Sequence, residues 1–400
     1  MGKFDLKRIQ DILRQMDLDA WIFFDFRGSN QLAHEILDIK PGAHLTRRFF
    51  YIVPREGLPK KIINGIEAFH LDHLPGEKLT YSSHESLKAH LANALKNIRT
   101  AALEYSPMCA IPYVSRVDAG TVEFLKSFGI ELKSSGDLIS MFSAVWSTHQ
   151  FEENKTAADA LYDIVDLSFH LIGDRLRSGQ PVSEYDVQKF IMSEFERRGM
   201  VTDSDAIVAV NANSANPHYA PDSTDFSTIS QGDFVLIDLW AKMNTPDAVM
   251  ADITWVGYAG IEVPQKYKDI FDIVASARDQ AFELCRERFR LRQPVRGYEL
   301  DDAARSIIVQ AGYGDYFIHR TGHSITTETH GSGAHLDNFE TRDERLILPS
   351  TSFSIEPGIY LTGDFGVRLE IDVYVSPDGE VISTGRDRQR EIVAIMKNNK

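Results

Sequence analysis

An ionised carboxylate inside an apolar strand is unstable unless a cation, a proton or several donors answer it, and this chain sets four acids in such surroundings, in two matching pairs. Asp238 sits in DFVLIDLWAKM and Asp252 in ADITWVGY, 14 residues apart across a polar connection. Glu356 ends the run SFSIE and Glu370 lies in GVRLEIDVYV, again 14 residues apart, with Gly363 and Asp364 in the turn between them. Pro357 cannot donate a ladder hydrogen bond, so the first of these strands is expected to end at Glu356. Over 366–375, Val367, Leu369, Ile371 and Val373 alternate with Arg368, Glu370 and Asp372. That alternation predicts one continuous strand with an apolar face and a charged face. Hairpin pairing would bring the members of each acid pair side by side.

Four carboxylates cannot share a dry pocket as anions, because desolvation and mutual repulsion would protonate them. Two divalent cations would balance their charge. His323, in HRTGHSITTETH, adds an imidazole. The set Asp238, Asp252, His323, Glu356 and Glu370 then has the oxygen-rich, one-nitrogen character of a two-metal hydrolytic centre. His319 and Asp372 are expected to support ligands rather than bind ions.

With these motifs in view the chain resembles the pita-bread metallopeptidases, the group containing methionine aminopeptidase, aminopeptidase P and prolidase. Their ligand order Asp, Asp, His, Glu, Glu maps onto Asp238, Asp252, His323, Glu356 and Glu370, with DITW, TGHSI, IEPGIY and GVRLE around them. The resemblance covers 150–400 by motif and 1–150 by general layout. It implies catalytic roles for Glu356 as proton acceptor and for His218 (NSANPHYAP) and His330 as oxyanion and leaving-group partners. Arg368, two residues before the last ligand, matches the aminopeptidase P and prolidase branch and is expected to hold one carboxylate by a bidentate bond. The implied reaction is hydrolysis, by a metal-bridged hydroxide, of the bond between an N-terminal residue and a following proline. Manganese is the first choice among the implied ions, with cobalt, zinc or iron also compatible. Two departures stand out: the Asp238–Asp252 connection is longer than usual and contains Asp247, a rival second ligand against which the ITW context after Asp252 decides, and Thr326 and Thr327 follow GHSI, where they are expected to narrow the pocket.

The 400 residues suit two domains. The α/β pattern of 1–150 predicts a smaller, creatinase-like N-terminal domain: a helix over 4–16, a buried strand at AWIFF, strands near 48–54 and 60–64, and helices over 84–97 and 115–128. Residues 151–400 are read as the catalytic pita-bread domain, an α+β unit in which a pseudo-repeat contributes one carboxylate hairpin from each half. Arg27, in FRGSN just past a strand end, is a weaker candidate for a substrate carboxylate, with a solvated loop role favoured.

A formal charge of −15 argues against a nucleic-acid or anionic-membrane partner. The start MGKFDLKRIQD lacks a secretory core, and Leu6 breaks the myristoylation pattern, so a cytoplasmic protein is expected. Cys109 and Cys285 are expected to be ordinary buried thiols. The resemblance further implies a homodimer and a peptide substrate with proline in second position. GHSIT departs from a G-x-S-x-G nucleophile elbow at Thr326, which disfavours a serine hydrolase. The remaining alternatives are a metal-free, creatinase-like hydrolase or a non-catalytic peptide-binding protein on the same fold. Neither would need all five donors.

Overall fold

Asp5 caps the first helix, α1 (Leu6–Gln15), by accepting the Arg8 amide, and the helix buries Ile9 and Leu13 one turn apart. The structure, a computed structural model, describes residues 4–397 and divides into two units, Met1–Ser143 and Ala144–Lys400. The first three residues of the opening segment lie outside the described residues.

In the first unit β1 (Ala20–Asp25), β2 (Phe49–Pro54), β3 (Lys60–Asn64), β4 (Glu77–Tyr81), β5 (Thr100–Leu103) and β6 (Glu131–Ser134) form one sheet in the order β4-β3-β2-β1-β5-β6. Strand β1 is buried on both faces. Trp21 and Phe23 pack toward α1 and α2 (Gln31–Ile36), while Ile22 and Phe24 pack toward α3 (His84–Leu95) and α4 (Ala119–Lys126). That double burial explains why AWIFF is apolar without alternation. Helix α4 begins at Ala119 rather than 115 because Asp118 accepts the Thr121 amide and fixes the start there. Cys109 is exposed, not buried: it lies with Met108 in a surface 3₁₀ turn that follows Pro107. Cys285 is buried as expected.

A short α5 (Gly136–Ile139) precedes the second unit, whose long helix α6 (Thr148–Arg177) starts under a Ser147–Gln150 capping box. The sequence-based boundary after residue 150 falls inside the first turn of that helix. Helix α6 and α7 (Glu184–Arg197) share a core with β8 (Ile207–Val210), β9 (Phe234–Met243) and β10 (Ala251–Tyr258); the two-residue β7 (Met200–Val201) pairs with β9. Helices α8 (Gln265–Arg290) and α9 (Gly297–Gln310) pack with β12 (Ser352–Ile355), β13 (Gly358–Leu361), β14 (Phe365–Arg368), β15 (Ile371–Val375) and β16 (Val381–Ser383), while the short β11 (Ser324–Ile325) pairs with β12. Each carboxylate hairpin thus has its own helix pair behind it. Strand β17 (Val393–Ala394) closes the edge beside β10. Among the described residues no helix is long and apolar enough to cross a membrane.

The single strand expected over 366–375 is two strands, β14 and β15, in different sheets. Pro357, opposite the break, has no N–H for the ladder, and the Glu370 amide turns to the Thr254 carbonyl at 3.2 Å. Both faces of the segment are buried, including Arg368, Glu370 and Asp372.

One acid of the first unit is answered without any cation. Glu104 is fully buried and accepts from Trp21 Nε1 (2.7 Å), Asn30 Nδ2 (2.8 Å) and Ser135 Oγ (3.1 Å), yet burial outweighs these donors and pushes its pKa up to about 7. A folded pKa above the unfolded one stabilises the fold at low pH, and the contribution is lost as pH rises from about 4 to about 7, a loss of roughly 3 kcal/mol for a shift of this order. Urea unfolding across that window should therefore show wild type losing stability relative to Glu104→Gln; parallel pH profiles would contradict this reading.

Candidate metal centre

The site lies where the two hairpins of the second unit meet. In the first, β9 and β10 run antiparallel with Asp238 opposite Thr254 and Trp240 opposite Asp252, so the two aspartates share a face one pleat apart. In the second, Ile355 pairs with Ile371 and Gly358 with Arg368. The register is unchanged across the Pro357 interruption, and Glu356 and Glu370 stand directly opposite each other. Two backbone contacts join the hairpins: the Asp252 amide donates to Asp372 Oδ2 (2.8 Å) and the Glu370 amide to the Thr254 carbonyl.

His323 enters from the segment leading into β11. Its backbone is pinned to Ser354 in both directions, amide to Oγ at 3.0 Å and carbonyl from the Ser354 amide at 2.8 Å. A Cβ on the preceding Gly322 would lie 2.0 Å from the Ser354 carbonyl oxygen, so only glycine lets the segments approach this closely. His323 Nδ1 is 3.3 Å from the Ser324 carbonyl, which can accept only from a protonated nitrogen. The lone pair therefore belongs to Nε2, which faces Glu356 Oε1 at 3.3 Å and Asp252 Oδ2 at 3.7 Å.

Donor atoms of Asp252, His323 and Glu370 all lie within 4.8 Å of one another. Asp252 Oδ1 and Glu370 Oε1 are buried with no hydrogen-bond partner. Burial, then repulsion among the acids, raises Asp252 and Glu370 well above the carboxylate range; burial raises Asp238 and lifts Glu356 to about 7. Burial, then His330 and Arg320, hold His323 well below its ordinary value. Orphaned oxygens, crowded acids and a neutral imidazole aimed at them are a donor set that divalent cations fit.

Arg368 does not grip one carboxylate with two nitrogens. It spreads its guanidinium over Asp238 Oδ2, Thr254 Oγ1 (Nε, 3.2 Å) and Tyr360 OH (3.2 Å). Thr254 Oγ1 donates in turn to Glu370 Oε2 at 2.8 Å. Tyr360 OH lies 2.7 Å from His319 Nε2, whose other nitrogen is 2.6 Å from the Arg320 carbonyl. One planar cation thus orients an acid from each hairpin, one directly and one through Thr254. Asp372 supports Asp252 through its amide, and its other oxygen is unpartnered.

All five expected donors, with His218, His330 and Arg368, line one cavity of about 1040 Å³. The His330 ring meets His323 edge-on at 4.5 Å, and His218 lies exposed in the cavity wall. Asp247 is at an exposed turn with φ 62°. Thr326 and Thr327 are not among the lining residues; their carbonyls take the Met250 amide and Lys242 Nζ, so these residues brace the wall from behind. Arg27 stands in an exposed turn of the first unit with φ 60°. Sequence reasoning missed Thr254, Tyr360 and Arg320. Thr254 could have been found from its position two residues after Asp252, on the same face of the strand.

Over nearly its whole length the chain is similar in structure to the dipeptidase PepE of Mycobacterium ulcerans (TM-score 0.67, 20% identity, 98% of this chain and 96% of that one). It is also similar to the prolidase of Pyrococcus horikoshii OT3 (TM-score 0.60, 22% identity, 96% and 99%). The fold is the pita-bread fold with a creatinase-like first domain. In sequence the chain is 30% identical over 230 residues to the Xaa-Pro dipeptidase of Lactobacillus delbrueckii subsp. lactis, 58% of each chain, so the match spans about three-fifths of that relative's length. Residues 156–377, which include all five donors, match the model of metallopeptidase family M24, and the chain belongs to that family.

Removing an anionic donor should leave the cations undercompensated. Asp238→Ala and Glu370→Ala are each expected to lose bound divalent ion, read as metal per chain after gel filtration, and to lose hydrolytic activity by at least about 100-fold. Full metal retention in both variants would contradict the assignment.

Proposed function

We propose that the protein is a dinuclear metal-dependent exopeptidase that hydrolyses the bond between an N-terminal residue and a following proline. The observation carrying this reading is the pair of buried, partnerless oxygens on Asp252 and Glu370, two residues that with His323 bring donor atoms within 4.8 Å of one another at an open cavity. A metal-free hydrolase or a binding protein would have no use for that arrangement. Two divalent ions, held by Asp238, Asp252, His323, Glu356 and Glu370, would supply Lewis acidity toward a carbonyl and acidify water.

The chain's own residues support the remaining roles. Glu356, raised by burial to about 7, can exchange a proton near neutral pH, and Ser354 Oγ at 3.1 Å from Oε1 fixes its orientation. His330, held below its ordinary pKa by burial and Arg320, can offer a neutral N–H to a developing oxyanion. His218, which also lines the cavity, can serve the departing nitrogen. A prolyl amide brings a ring and no N–H. Ile207, Pro217, Pro221 and Trp240 supply the cavity with apolar surface for such a ring, and Arg320 suits the carboxylate of a dipeptide. The likeness to Xaa-Pro dipeptidases adds to this reading. Manganese as the native ion and a homodimer rest on the family resemblance alone.

Two outcomes test the proposal. On Ala-Pro, Ala-Pro-Xaa and Met-Ala-Xaa peptides, alanine release from a proline substrate should be fastest; faster methionine release would overturn the specificity. His330→Ala should lower kcat by about 100-fold or more with metal content unchanged, because it removes a contact made in the transition state and not a donor.

A further inference from the structure

His218 is carried by the segment between β8 and β9, which has no regular structure beyond a 3₁₀ turn at Asn211–Ala215. A residue asked to meet a transition state from such a segment needs an anchor. One buried acid outside the metal cavity supplies it. Glu184, the first residue of α7, is fully buried and accepts from four groups spread along the His218 segment. The Val210 amide (2.7 Å) and Asn213 Nδ2 (3.0 Å) come from before the histidine, Tyr219 OH (2.6 Å) from the next residue, and the Ser227 amide (2.6 Å) from its far end; Asn213 Nδ2 also reaches the second oxygen at 3.2 Å. The Glu184 amide returns a bond to the Ser227 carbonyl at 3.0 Å. One helical turn on, Gln188 Nε2 donates to the Ala206 carbonyl (2.9 Å) and the Pro221 carbonyl (3.0 Å), holding the same segment at two further points.

Neither side chain ties the loop to the metal donors. A separate contact does: the Gly366 amide donates to Ser214 Oγ at 2.9 Å, and a Cβ at Gly366 would lie 2.2 Å from the Ser214 carbonyl oxygen. The segment is thus fixed to α7 on one side and to β14, which carries Arg368, on the other.

We infer that Glu184 is a positioning residue for His218: a buried carboxylate that collects the ends of the loop at one point and so fixes the histidine relative to the reacting groups. A charge that accepts five hydrogen bonds holds its donors more tightly than a neutral acceptor can. Glutamine in its place would turn an amide N–H₂ toward groups that are themselves donors. Misplacement of a catalytic group by about 1 Å can cost on the order of 100-fold in rate.

This inference rests on the peptidase reading, and the test separates the two. Rates would be measured with Ala-Pro for wild type, Glu184→Gln, Tyr219→Phe, His218→Ala and the double variants that combine each clamp change with His218→Ala. The expected result is a fall of about 10- to 100-fold in kcat for Glu184→Gln and a smaller fall for Tyr219→Phe, at unchanged metal content, with neither change lowering the rate further once His218 is alanine. Equal fold losses with and without His218 would overturn the inference. If Glu184→Gln does not fold, the Tyr219→Phe cycle decides alone. Hydrogen exchange on the metal-free protein gives an independent reading: amides of 211–227 should exchange faster in Glu184→Gln while those of β9 and β10 are unchanged, and uniform exchange across both would also overturn it. Absence of peptidase activity in wild type would instead count against the function proposed above.

Discussion

Desolvation of acids at the seam of two hairpins is the constraint around which the second unit is built. Asp238, Asp252, Glu356 and Glu370 are brought together where burial disfavours their charged forms. Arg368 answers part of that charge, through Asp238 directly and Glu370 by way of Thr254. Asp252 Oδ1 and Glu370 Oε1 remain without any hydrogen-bonding partner. Holding such groups in place costs stability that the surrounding core must offset, and cations would relieve it.

The architecture follows from that need. A hairpin fixes two acids at a separation set by register alone, and two hairpins joined by the Asp252 and Glu370 amides bring the pairs into one pocket. Helices α6 to α9 then bury the opposite faces. Asp238 and Asp252 lie within strands and His323, Glu356 and Glu370 stand immediately at strand ends, whereas His218 and His330 come from connecting segments. This division is common where a fixed scaffold presents groups that must meet a substrate. The Glu104 network shows the contrasting solution: a buried acid surrounded by side-chain donors and raised in pKa.

Much of the centre was legible because an acid between apolar neighbours is conspicuous, and equal spacing across turn residues implies matched hairpins. Other features depend on partners distant in sequence. The break between Arg368 and Ile371 is caused by Pro357 on the opposite strand and by the Thr254 carbonyl in another sheet, so local alternation could only read it as continuous. Thr254 and Tyr360 look like ordinary strand residues until Arg368 is seen between them. The edge strands β4 and β6, with sequences EKLTY and ELKS, escaped notice because edges carry charges that interrupt the apolar pattern. Glu184 gave no sign at all, since its four donors converge only in the folded loop.

The central claim is that the crowded acids form a site for two cations and bind them at the expense of protons. Calorimetric titration of the metal-stripped protein with Mn²⁺ near pH 7, repeated in buffers of different ionisation enthalpy, counts both ions and protons. The account predicts saturation at two ions per chain with net proton release, and tighter binding as pH rises. Saturation at one ion or none, or binding without proton release, would contradict it.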